Sequence, residues 1–313
     1  MVSAVRRIGA KRLLIGLTAL ALGLAVSMGT GHCVSESPES GTITLSETAK
    51  EKKPKLDVPY EPTTYEITQE MLRMADVRKD DLVYDLGCGD GRIVIMAAKE
   101  RGARGVGVDL DPARIKESVE NAKQAGVTDR VSFFRQDLFK TDIGKATVVM
   151  LYLWPEVNLR LRPRLLKELR PGTRVVSHSH SMGEWKPDAT SKVSNHNLYF
   201  WVIPANVSGT WAWPVPTGKG NARAVLRLNQ HFQEISGSLT VDNATVPLTG
   251  TVLTGDRLRL VAEPLVEGRK VTMELEGRVQ GDTIRGRMRM STGETLRNDP
   301  WKARRHPSGK VTR

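Results

Sequence analysis

The sequence predicts a doubly wound α/β sheet with an antiparallel hairpin at its edge, followed by a small all-β barrel or sandwich. Between residues 60 and 204, short apolar runs alternate with segments of helical period, which is typical of parallel strands covered by helices. Further along the chain, apolar and polar residues alternate at every second position, as in antiparallel strands. A chain of 313 residues is long enough for two domains, which we place at residues 59–205 and 206–313.

The first 33 residues have the layout of a signal peptide or membrane anchor. Basic residues precede an apolar run from Leu13 to Val26, and small residues follow it. The run is shorter than the about 20 residues that a membrane-spanning helix needs. We expect the chain to be exported or membrane-tethered through this segment; the alternative is a cytoplasmic protein whose translation starts at Met28. Residues 34–58, rich in Ser, Glu, Thr, Lys and Pro, are predicted to be a disordered linker.

Helices of the α/β domain are predicted from helical spacing and from their end signals. The predicted helices cover residues 65–75, 92–101 and 112–125 and a segment that follows residue 154. Gly102 and Gly126 are expected to end two of them, because glycine readily adopts the left-handed conformation of a helix C-terminus. Asp111 is the expected N-cap of the third helix, with Pro112 at its first position. Pro163 is expected to break the last helix.

Strands of the α/β domain are predicted from short apolar runs between these helices. They cover residues 82–85, 105–110, 130–139, 146–153 and 173–180, and a closing pair covers 190–193 and 198–203. Because only four polar residues separate the closing pair, it is predicted to be an antiparallel hairpin at the edge of the sheet.

The C-terminal part is predicted to contain about eight short antiparallel strands. Turns are expected at Asp242–Asn243, Gly255–Asp256 and Gly281–Asp282, where residues that tolerate positive φ separate alternating runs. No cluster of catalytic residue types falls in this part, so an accessory or binding role is expected for it.

Composition limits the classes of function. The net charge of +12 comes from Lys and Arg spread along the whole chain, which favours a solvated basic surface over a nucleic-acid-binding block. Two cysteines, Cys33 and Cys88, cannot form a disulfide framework or a cysteine-based zinc site. His178 and His180 end a predicted strand two positions apart, but no third ligand lies near them in sequence. No metal is therefore predicted, and the two histidines are expected to wall a site by hydrogen bonding.

A glycine-rich turn, DLGCGDG, follows the first predicted strand, and acidic residues end the next strands. Ligands of doubly wound sheets lie beyond the carboxyl ends of the strands. The glycine spacing is G-x-G-x-G rather than the G-x-G-x-x-G of dinucleotide sites, and Asp90 lies within the turn, where it would repel a pyrophosphate. S-adenosylmethionine fits better, because it carries an ammonium and a sulfonium but no phosphate.

Each part of S-adenosylmethionine has a predicted partner. Asp109 is expected to accept hydrogen bonds from both ribose hydroxyls, and Asp137 from the adenine amine, with Leu138 against the ring. Asp85 is expected to hold the loop and the ammonium. The full set of predicted cofactor-binding residues is Asp85, Gly87, Cys88, Gly89, Asp90, Gly91, Asp109, Leu110, Gln136, Asp137 and Leu138.

Three segments, DLGCGDG, GVGVDLDP and RQDLF, resemble in order and spacing the motifs of class I, seven-stranded, Rossmann-like S-adenosylmethionine-dependent methyltransferases. YEPTTYEITQEML and LYLWPEVNLRLRPRLLKELRPGTRVVSH are similar to segments of the archaeal protein lysine methyltransferase and its mitochondrial relatives. The likeness covers about residues 60–204 and implies methylation of a protein lysine. Those relatives read Tyr-x-Pro-Thr-Pro where this chain has Thr64 in place of the last proline.

A lysine must be neutral to accept a methyl group, and a desolvated aromatic slot would lower its reference pKa of about 10.4. Tyr152 and Trp154 end the fourth predicted strand and are expected to wall such a slot, and the resemblance adds Tyr60 and Thr63. No catalytic residue is assigned. Methylases of nucleic-acid bases resemble one another in an Asn/Asp-Pro-Pro-aromatic motif at this strand end. That motif is missing here, so nucleic acid is not expected as the substrate.

Three alternatives stay open at this point. A dinucleotide oxidoreductase is disfavoured by the glycine spacing. A noncatalytic ligand-binding protein could have kept the fold, and a methyltransferase could act on a small molecule. The identity of the methyl acceptor, the number of methyl groups added and the oligomeric state do not follow from the sequence.

Overall fold

The computed structural model describes residues 60–217, 220–293 and 295–306. The predicted signal or anchor and the predicted linker lie outside the described residues and stay predictions. None of the helices within the described ranges is both long enough and apolar enough to cross a membrane.

The α/β part alternates helices and strands as predicted. In chain order its elements are α1 (Tyr65–Met74), β1 (Leu82–Leu86), α2 (Arg92–Arg101), β2 (Arg104–Asp109), α3 (Pro112–Ala125), β3 (Val131–Arg135), β4 (Val148–Leu151), α4 (Pro155–Glu168), β5 (Arg174–His178), β6 (Ala189–Val193) and β7 (His196–Val202). The strand order is β3-β2-β1-β4-β5-β7-β6. The first five strands along this order are parallel, and β7 is antiparallel to both β5 and β6. The chain reverses its direction of travel across the sheet between β1 and β4, where a ligand is expected.

Apolar clusters cover both faces of this sheet. On one face α1, α2 and α3 contribute buried residues such as Met71, Val94 and Ala122. On the other face α4 contributes Leu161 and Leu165. With both faces covered, the sheet is doubly wound and its central strands are buried, which leaves the strand ends as the accessible part.

Helix ends follow the predicted signals. Gly102 and Gly126 end α2 and α3 with φ of 69° and 71°, and the Asp111 side chain accepts a hydrogen bond from Ala113 N–H at the start of α3. Thr64 has a φ of −65°, which proline would also adopt, and its hydroxyl accepts a hydrogen bond from Ile67 N–H at 3.3 Å. The exchange of proline for threonine therefore keeps the backbone conformation and adds an N-cap.

The predicted break at Pro163 is wrong, because α4 runs through this residue as one helix. A proline inside a helix costs about 3 kcal/mol. Val157, Leu161 and Leu165 are buried on both sides of the proline, and burial of each such side chain contributes about 1.5–3 kcal/mol. Packing on both sides of the proline therefore outweighs the local cost.

The edge hairpin has a turn of two residues instead of the predicted four. Val193 of β6 pairs with His196 of β7, so only Ser194 and Asn195 form the turn, and Ser194 has a φ of 52°. A two-residue turn with positive φ matches the twist of the flanking strands, and it lengthens β7 by the two residues that had been predicted as turn.

The C-terminal part is a barrel. Its elements are β8 (Gly209–Thr217), β9 (Gly220–His231), β10 (Glu234–Val241), β11 (Ala244–Thr254), β12 (Arg257–Ala262), β15 (Thr272–Gln280), β16 (Thr283–Ser291) and β17 (Leu296–Arg305), with a separate small hairpin of β13 (Leu265–Val266) and β14 (Arg269–Lys270). Eight strands close in the order β10-β11-β12-β15-β16-β17-β8-β9. All three predicted turns join neighbouring strands as expected. Large side chains such as Trp211 and Trp301 fill the interior.

The barrel joins the α/β part at the amino ends of the parallel strands. Gly172, just before β5, donates a backbone hydrogen bond to Ile203, and Ala205 donates one to Gly255 of the β11–β12 turn, each at 2.8 Å. Gly255 also lies directly against Gly172, because a Cβ at Gly255 would be 2.9 Å from the Gly172 Cα. The carboxyl ends of the parallel strands, where the predicted ligand residues lie, point away from this junction.

Candidate active site

A cleft lies above the carboxyl ends of β1, β2 and β4. Its lining residues are Tyr60, Glu61, Pro62, Thr63, Asp85, Gly87, Cys88, Gly89, Asp90, Arg92, Ile93, Val108, Asp109, Leu110, Asp111, Arg114, Gln136, Leu138, Tyr152, Leu153, Trp154 and His180. Together with the solvent at its mouth, the cleft has an empty volume of about 1040 Å³. None of these residues belongs to the barrel.

The glycine loop between β1 and α2 has a conformation that side chains would disrupt. Gly87, Gly89 and Gly91 have φ of 89°, 52° and 80°. A Cβ at Gly89 would lie 2.4 Å from the ring of Tyr60, and one at Gly91 would lie 2.6 Å from the ring of Phe133. The loop is therefore held between two aromatic rings with its backbone beside the cleft, as the glycine spacing indicated.

Asp109, at the end of β2, fixes this loop. Its Oδ2 accepts a hydrogen bond from Gly89 N–H and its Oδ1 accepts one from Asp111 N–H, both at 2.9 Å. Each carboxylate oxygen can accept more than one hydrogen bond, so Asp109 can still accept from two ribose hydroxyls. The loop-holding role predicted for Asp85 thus belongs to Asp109.

Asp85, at the end of β1, is a buried carboxyl that faces the cleft. It is 2% exposed, and it forms no hydrogen bond with any residue in the described part of the chain. Burial, and then the carboxylates of Asp109 and Asp90, raise the pKa of Asp85 to about 8. An ionised carboxylate in this position needs a positive partner, and an ammonium in the cleft would be such a partner.

Asp90 is neutralised by Arg92, a residue to which the sequence interpretation gave no role in the site. The Arg92 guanidinium donates from Nη2 to Asp90 Oδ2 at 2.6 Å and from Nε to Oδ1 at 2.9 Å. Although burial alone would raise the pKa of Asp90, the bonds and charge of Arg92 lower it. Asp90 is therefore not the free repelling charge that we expected, and the acidity of the cleft comes mainly from Asp85 and Asp109.

Arg92 also connects the glycine loop to the segment before α1. Its Nη1 donates to the Thr63 carbonyl at 2.9 Å. From the same segment the ring of Tyr60 covers Gly89, and the Arg114 guanidinium lies 4.6 Å from the centre of that ring. The ring of Tyr60 thus covers the glycine loop, and Tyr60 is also a candidate residue of the slot for the lysine side chain.

Two residues of the predicted slot contact a buried histidine, His178. Thr63 Oγ1 and His178 Nδ1 are 3.1 Å apart, and the rings of Tyr152 and His178 are 3.8 Å apart at 31°. Burial, followed by His196 and His180, lowers the pKa of His178 to about 4, so its ring is neutral at pH 7. His178 therefore supports two of the four slot residues from beneath.

The remaining slot residues differ in exposure. Tyr152 is half-buried, and burial together with its hydrogen bond to Glu61 raises its pKa to about 12. Its phenol therefore stays protonated at neutral pH. Trp154 is 50% exposed at the start of α4 and lies at the mouth of the cleft.

Two predicted cofactor residues do not line the cleft. Gly91 acts indirectly as the N-cap residue of α2. Asp137 turns its Oδ1 to the backbone N–H of Phe139 at 2.8 Å, whereas its neighbours Gln136 and Leu138 do line the cleft. The structure thus gives no support to the adenine contact that we predicted for Asp137.

The two histidines of SHSH do not share a strand face. β5 ends at His178, and Ser179 has a φ of 63°, which breaks the alternation. His178 lies beneath the slot and His180 lines the cleft. Within residues 60–306, so far as they are described, no group of three or more His, Cys, Asp or Glu residues is arranged to hold a metal ion.

The residues in the cleft fit S-adenosylmethionine. Asp109 supplies acceptor oxygens, Asp85 supplies a buried carboxyl that a bound ammonium would ionise, the glycine loop exposes its backbone, and Leu110 and Leu138 supply apolar surface for a base. Sequence reasoning missed Glu61 and Arg114 as lining residues. Glu61 lies inside the segment YEPTTYEITQEML and Arg114 lies two residues after GVGVDLDP, but no spacing rule shows that they turn toward the cleft.

Comparison with known proteins relates the part of the chain that forms this cleft to methyltransferases. Residues 85–189 match the family described as the ANTKMT methyltransferase domain. The chain is 47% identical over 151 residues to a protein-lysine N-methyltransferase of Saccharolobus islandicus, covering 47% of this chain and 94% of that one. It is 35% identical over 136 residues to the adenine nucleotide translocase lysine N-methyltransferase of Mus musculus, covering 43% of this chain and 58% of the relative.

A solved structure is also similar. The crystal structure of an RNA methyltransferase from Salinibacter ruber in complex with S-adenosyl-L-homocysteine shows 52% sequence identity, covers 47% of this chain and 96% of that chain, and gives a TM-score of 0.46.

Proposed function

The chain belongs to the protein-lysine N-methyltransferase family, and from this premise we propose that it transfers a methyl group from S-adenosylmethionine to the side-chain amine of a lysine in another protein. The observation that carries the proposal is the juxtaposition, in one cleft, of acidic strand ends around a glycine loop with a slot walled by Tyr152 and Trp154. The β barrel adds nothing to the cleft and serves as an accessory domain.

The side of the cleft that contains the glycine loop binds and orients the methyl donor. S-adenosylmethionine supplies a methyl group on a positively charged sulfur. Asp85 would hold the ammonium with a carboxyl that has no protein partner, Asp109 would accept from the ribose hydroxyls, and Leu138 would supply apolar surface to the base. Because methyl transfer is an in-line displacement, this positioning is the main contribution that the chain makes to the rate.

The side of the cleft that would receive the lysine removes water from the amine. A lysine amine carries a proton at neutral pH and must lose it before it can attack. The half-buried ring of Tyr152 and the exposed ring of Trp154 form an apolar entrance that disfavours the charged amine. Neither Tyr152, whose pKa is too high, nor His178, whose pKa is too low and whose Nδ1 already contacts Thr63, is suited to take the proton. Neither of these two residues is assigned as a base, and we propose that the proton leaves to solvent before transfer.

A labelling experiment tests the proposal. The protein is incubated with host lysate and methyl-labelled S-adenosylmethionine, and the products are fractionated into protein, RNA and small molecules before peptide mapping. We expect label on lysine side chains, and we expect Asp109→Ala to abolish it. Label confined to RNA, lipid or small molecules would contradict a protein acceptor, and donor binding without any turnover would support a noncatalytic role.

We further propose that the chain is exported or membrane-tethered through the run from Leu13 to Val26, on the strength of the sequence pattern alone. The test is fractionation of cells that produce the protein with a C-terminal tag, with protease added to the outer side of the inner membrane. We expect a protease-sensitive protein. A soluble, protected protein that starts at Met28 would exclude export.

A further inference from the structure

Four neighbouring strands of the barrel carry an uninterrupted row of positive charges. Arg257 of β12 pairs with Arg278 of β15, Arg278 pairs with Arg285 of β16, and Arg285 pairs with Lys302 of β17. All four side chains are exposed. Neighbouring strands lie about 4.8 Å apart, so the row extends across about 14 Å of the barrel surface.

The charges around this row do not balance it. On the outward-facing positions of β12, β15, β16 and β17 and on the β11–β12 turn, eight exposed basic residues lie among three acidic ones. Arg297 and Asp299, which pair with each other at 2.7 Å, belong to the alternate positions of β17 and are not counted. We name this surface the basic face: it comprises Arg257, Arg259, Arg278, Arg285, Arg287, Arg289, Lys302 and Arg304, with Asp256, Glu274 and Glu276 among them.

The three acids neutralise only part of the basic face. Asp256 pairs with Arg278 at 2.8 Å, and Glu274 pairs with Arg289 at 3.4 Å. By contrast, Arg257, Arg285 and Lys302 form no ion pair with any residue that the structure describes. Arg285 and Lys302 therefore lie next to each other without an acidic partner, and Arg257 is unpaired at the other end of the row, beyond Arg278.

Folding of the barrel does not require such a row. Like charges directly opposite each other on neighbouring strands destabilise a sheet, while the barrel is held by its packed interior, with Trp211, Met273 and Trp301 almost fully buried. The row is also remote from methyl transfer, since no barrel residue lines the cleft. A surface that costs stability and takes no part in the cleft is suited to binding a polyanion.

We propose that the basic face binds the surface of a membrane rich in anionic phospholipids. Single-stranded nucleic acid is less suited, because such proteins stack bases on exposed aromatic rings, and the one aromatic residue of these four strands, Trp301, is buried. A bilayer presents many phosphates in a fluid plane, so it can meet a row of any spacing.

The length of the chain before the first described residue agrees with this partner. The apolar run predicted to enter the membrane ends at Val26, and 33 residues separate it from Tyr60. Even fully extended, such a segment reaches no more than about 120 Å. A chain tethered in this way stays within reach of the membrane surface, where several weak charge contacts suffice for binding.

Vesicle co-sedimentation of the full chain tests the proposal. The vesicles contain phosphatidylcholine alone or phosphatidylcholine with phosphatidylglycerol, at low and high salt. The test variant is Arg285→Gln/Lys302→Gln. Its matched control is Lys99→Gln/Lys116→Gln, which removes two exposed lysines of the α/β part. The N-terminal run is identical in all variants, so binding to pure phosphatidylcholine measures its contribution separately.

The expected result is a preference for anionic vesicles that salt weakens and that the test variant reduces about 25-fold, since each basic side chain near such a surface multiplies affinity roughly fivefold. The control variant should reduce it less than threefold, and both variants should bind S-adenosylmethionine as the parent chain does, which shows that they are folded. The proposal is overturned if the two variants bind anionic vesicles equally well. It is also overturned if the basic face binds duplex RNA or DNA more tightly than it binds these vesicles.

Discussion

The raised pKa of Asp85 predicts that donor binding is coupled to proton release. With a pKa of about 8 in the free protein, about one tenth of Asp85 is ionised at pH 7 and about one hundredth at pH 6. If the ionised form is the one that holds the ammonium, the affinity for S-adenosylmethionine falls about ninefold between pH 7 and pH 6. A paired surface carboxylate would remain ionised throughout this range and would give no such dependence on pH.

The ligand itself contributes little to this change. An α-amino group has an ordinary pKa of about 7.7–8.0 and an α-carboxyl group one of about 3.5, so both keep their charge between pH 6 and pH 7. Binding at pH 7 should therefore release about 0.9 proton for each ligand bound, because Asp85 must ionise to accept the ammonium.

Isothermal titration of the protein with S-adenosylmethionine measures both quantities. Affinity is determined at pH 6.0, 6.5 and 7.0, each in two buffers of different ionisation enthalpy. Asp85→Asn should bind more weakly and without this dependence on pH. His180 also lines the cleft, so His180→Gln is the matched control and should keep the ninefold change. An affinity that stays constant from pH 6 to pH 7 in the unmodified protein would refute the assignment of Asp85.

Four further predictions follow from the contacts. Asp109→Ala should lower the affinity for S-adenosylmethionine about a hundredfold or more, since two charge-assisted hydrogen bonds contribute about 3 kcal/mol. Asp137→Ala, outside the cleft, should change this affinity less than threefold. Equal losses of affinity in titrations of the two variants would contradict the site. Gly89→Ala should weaken donor binding at least tenfold, because a Cβ there meets a ring at 2.4 Å; parent-like affinity would show that the loop adapts. The low pKa of His178 implies stability that is complete above pH 6.5 and is lost as the pH falls toward 4, and denaturant unfolding of His178→Phe should lack this loss. A fragment of residues 55–206 should fold and bind the donor with an affinity within about threefold of the full chain's, and it should have a lower Tm because it loses the contacts with the barrel. An insoluble fragment would mean that the two parts share one core.

Features set by neighbouring residues could be predicted from the sequence. Asp111 caps its helix, and the turns at Asp242–Asn243, Gly255–Asp256 and Gly281–Asp282 join the expected strands. In each case the conformation follows from the residue itself: a side-chain acceptor at a helix start, or a residue that tolerates positive φ. The alternation of strands and helices then predicts a doubly wound sheet.

Features set by distant contacts could not be predicted in this way. Pro163 stays inside a helix because residues on both sides of it are buried against the sheet. The edge turn is tighter than expected because β7 pairs with both β5 and β6, and this pairing extends the strand to His196. Helix and turn propensities describe only the local chain, and packing and strand pairing override them here.

The charged residues of the candidate site show the same difference between what the local sequence indicates and what distant contacts decide. Because parallel strands end at one edge of the sheet, the sequence could indicate that Asp85, Asp90 and Asp109 lie together, but it gave them similar weight as acids. In the structure, Asp90 pairs with the Arg92 guanidinium, and Asp109 accepts hydrogen bonds from two backbone N–H groups. Asp85 alone among the three has no partner within the described chain. A positively charged ligand in the cleft therefore finds its strongest unmet acceptor at Asp85, and this is why the pH dependence of donor binding should depend on that residue.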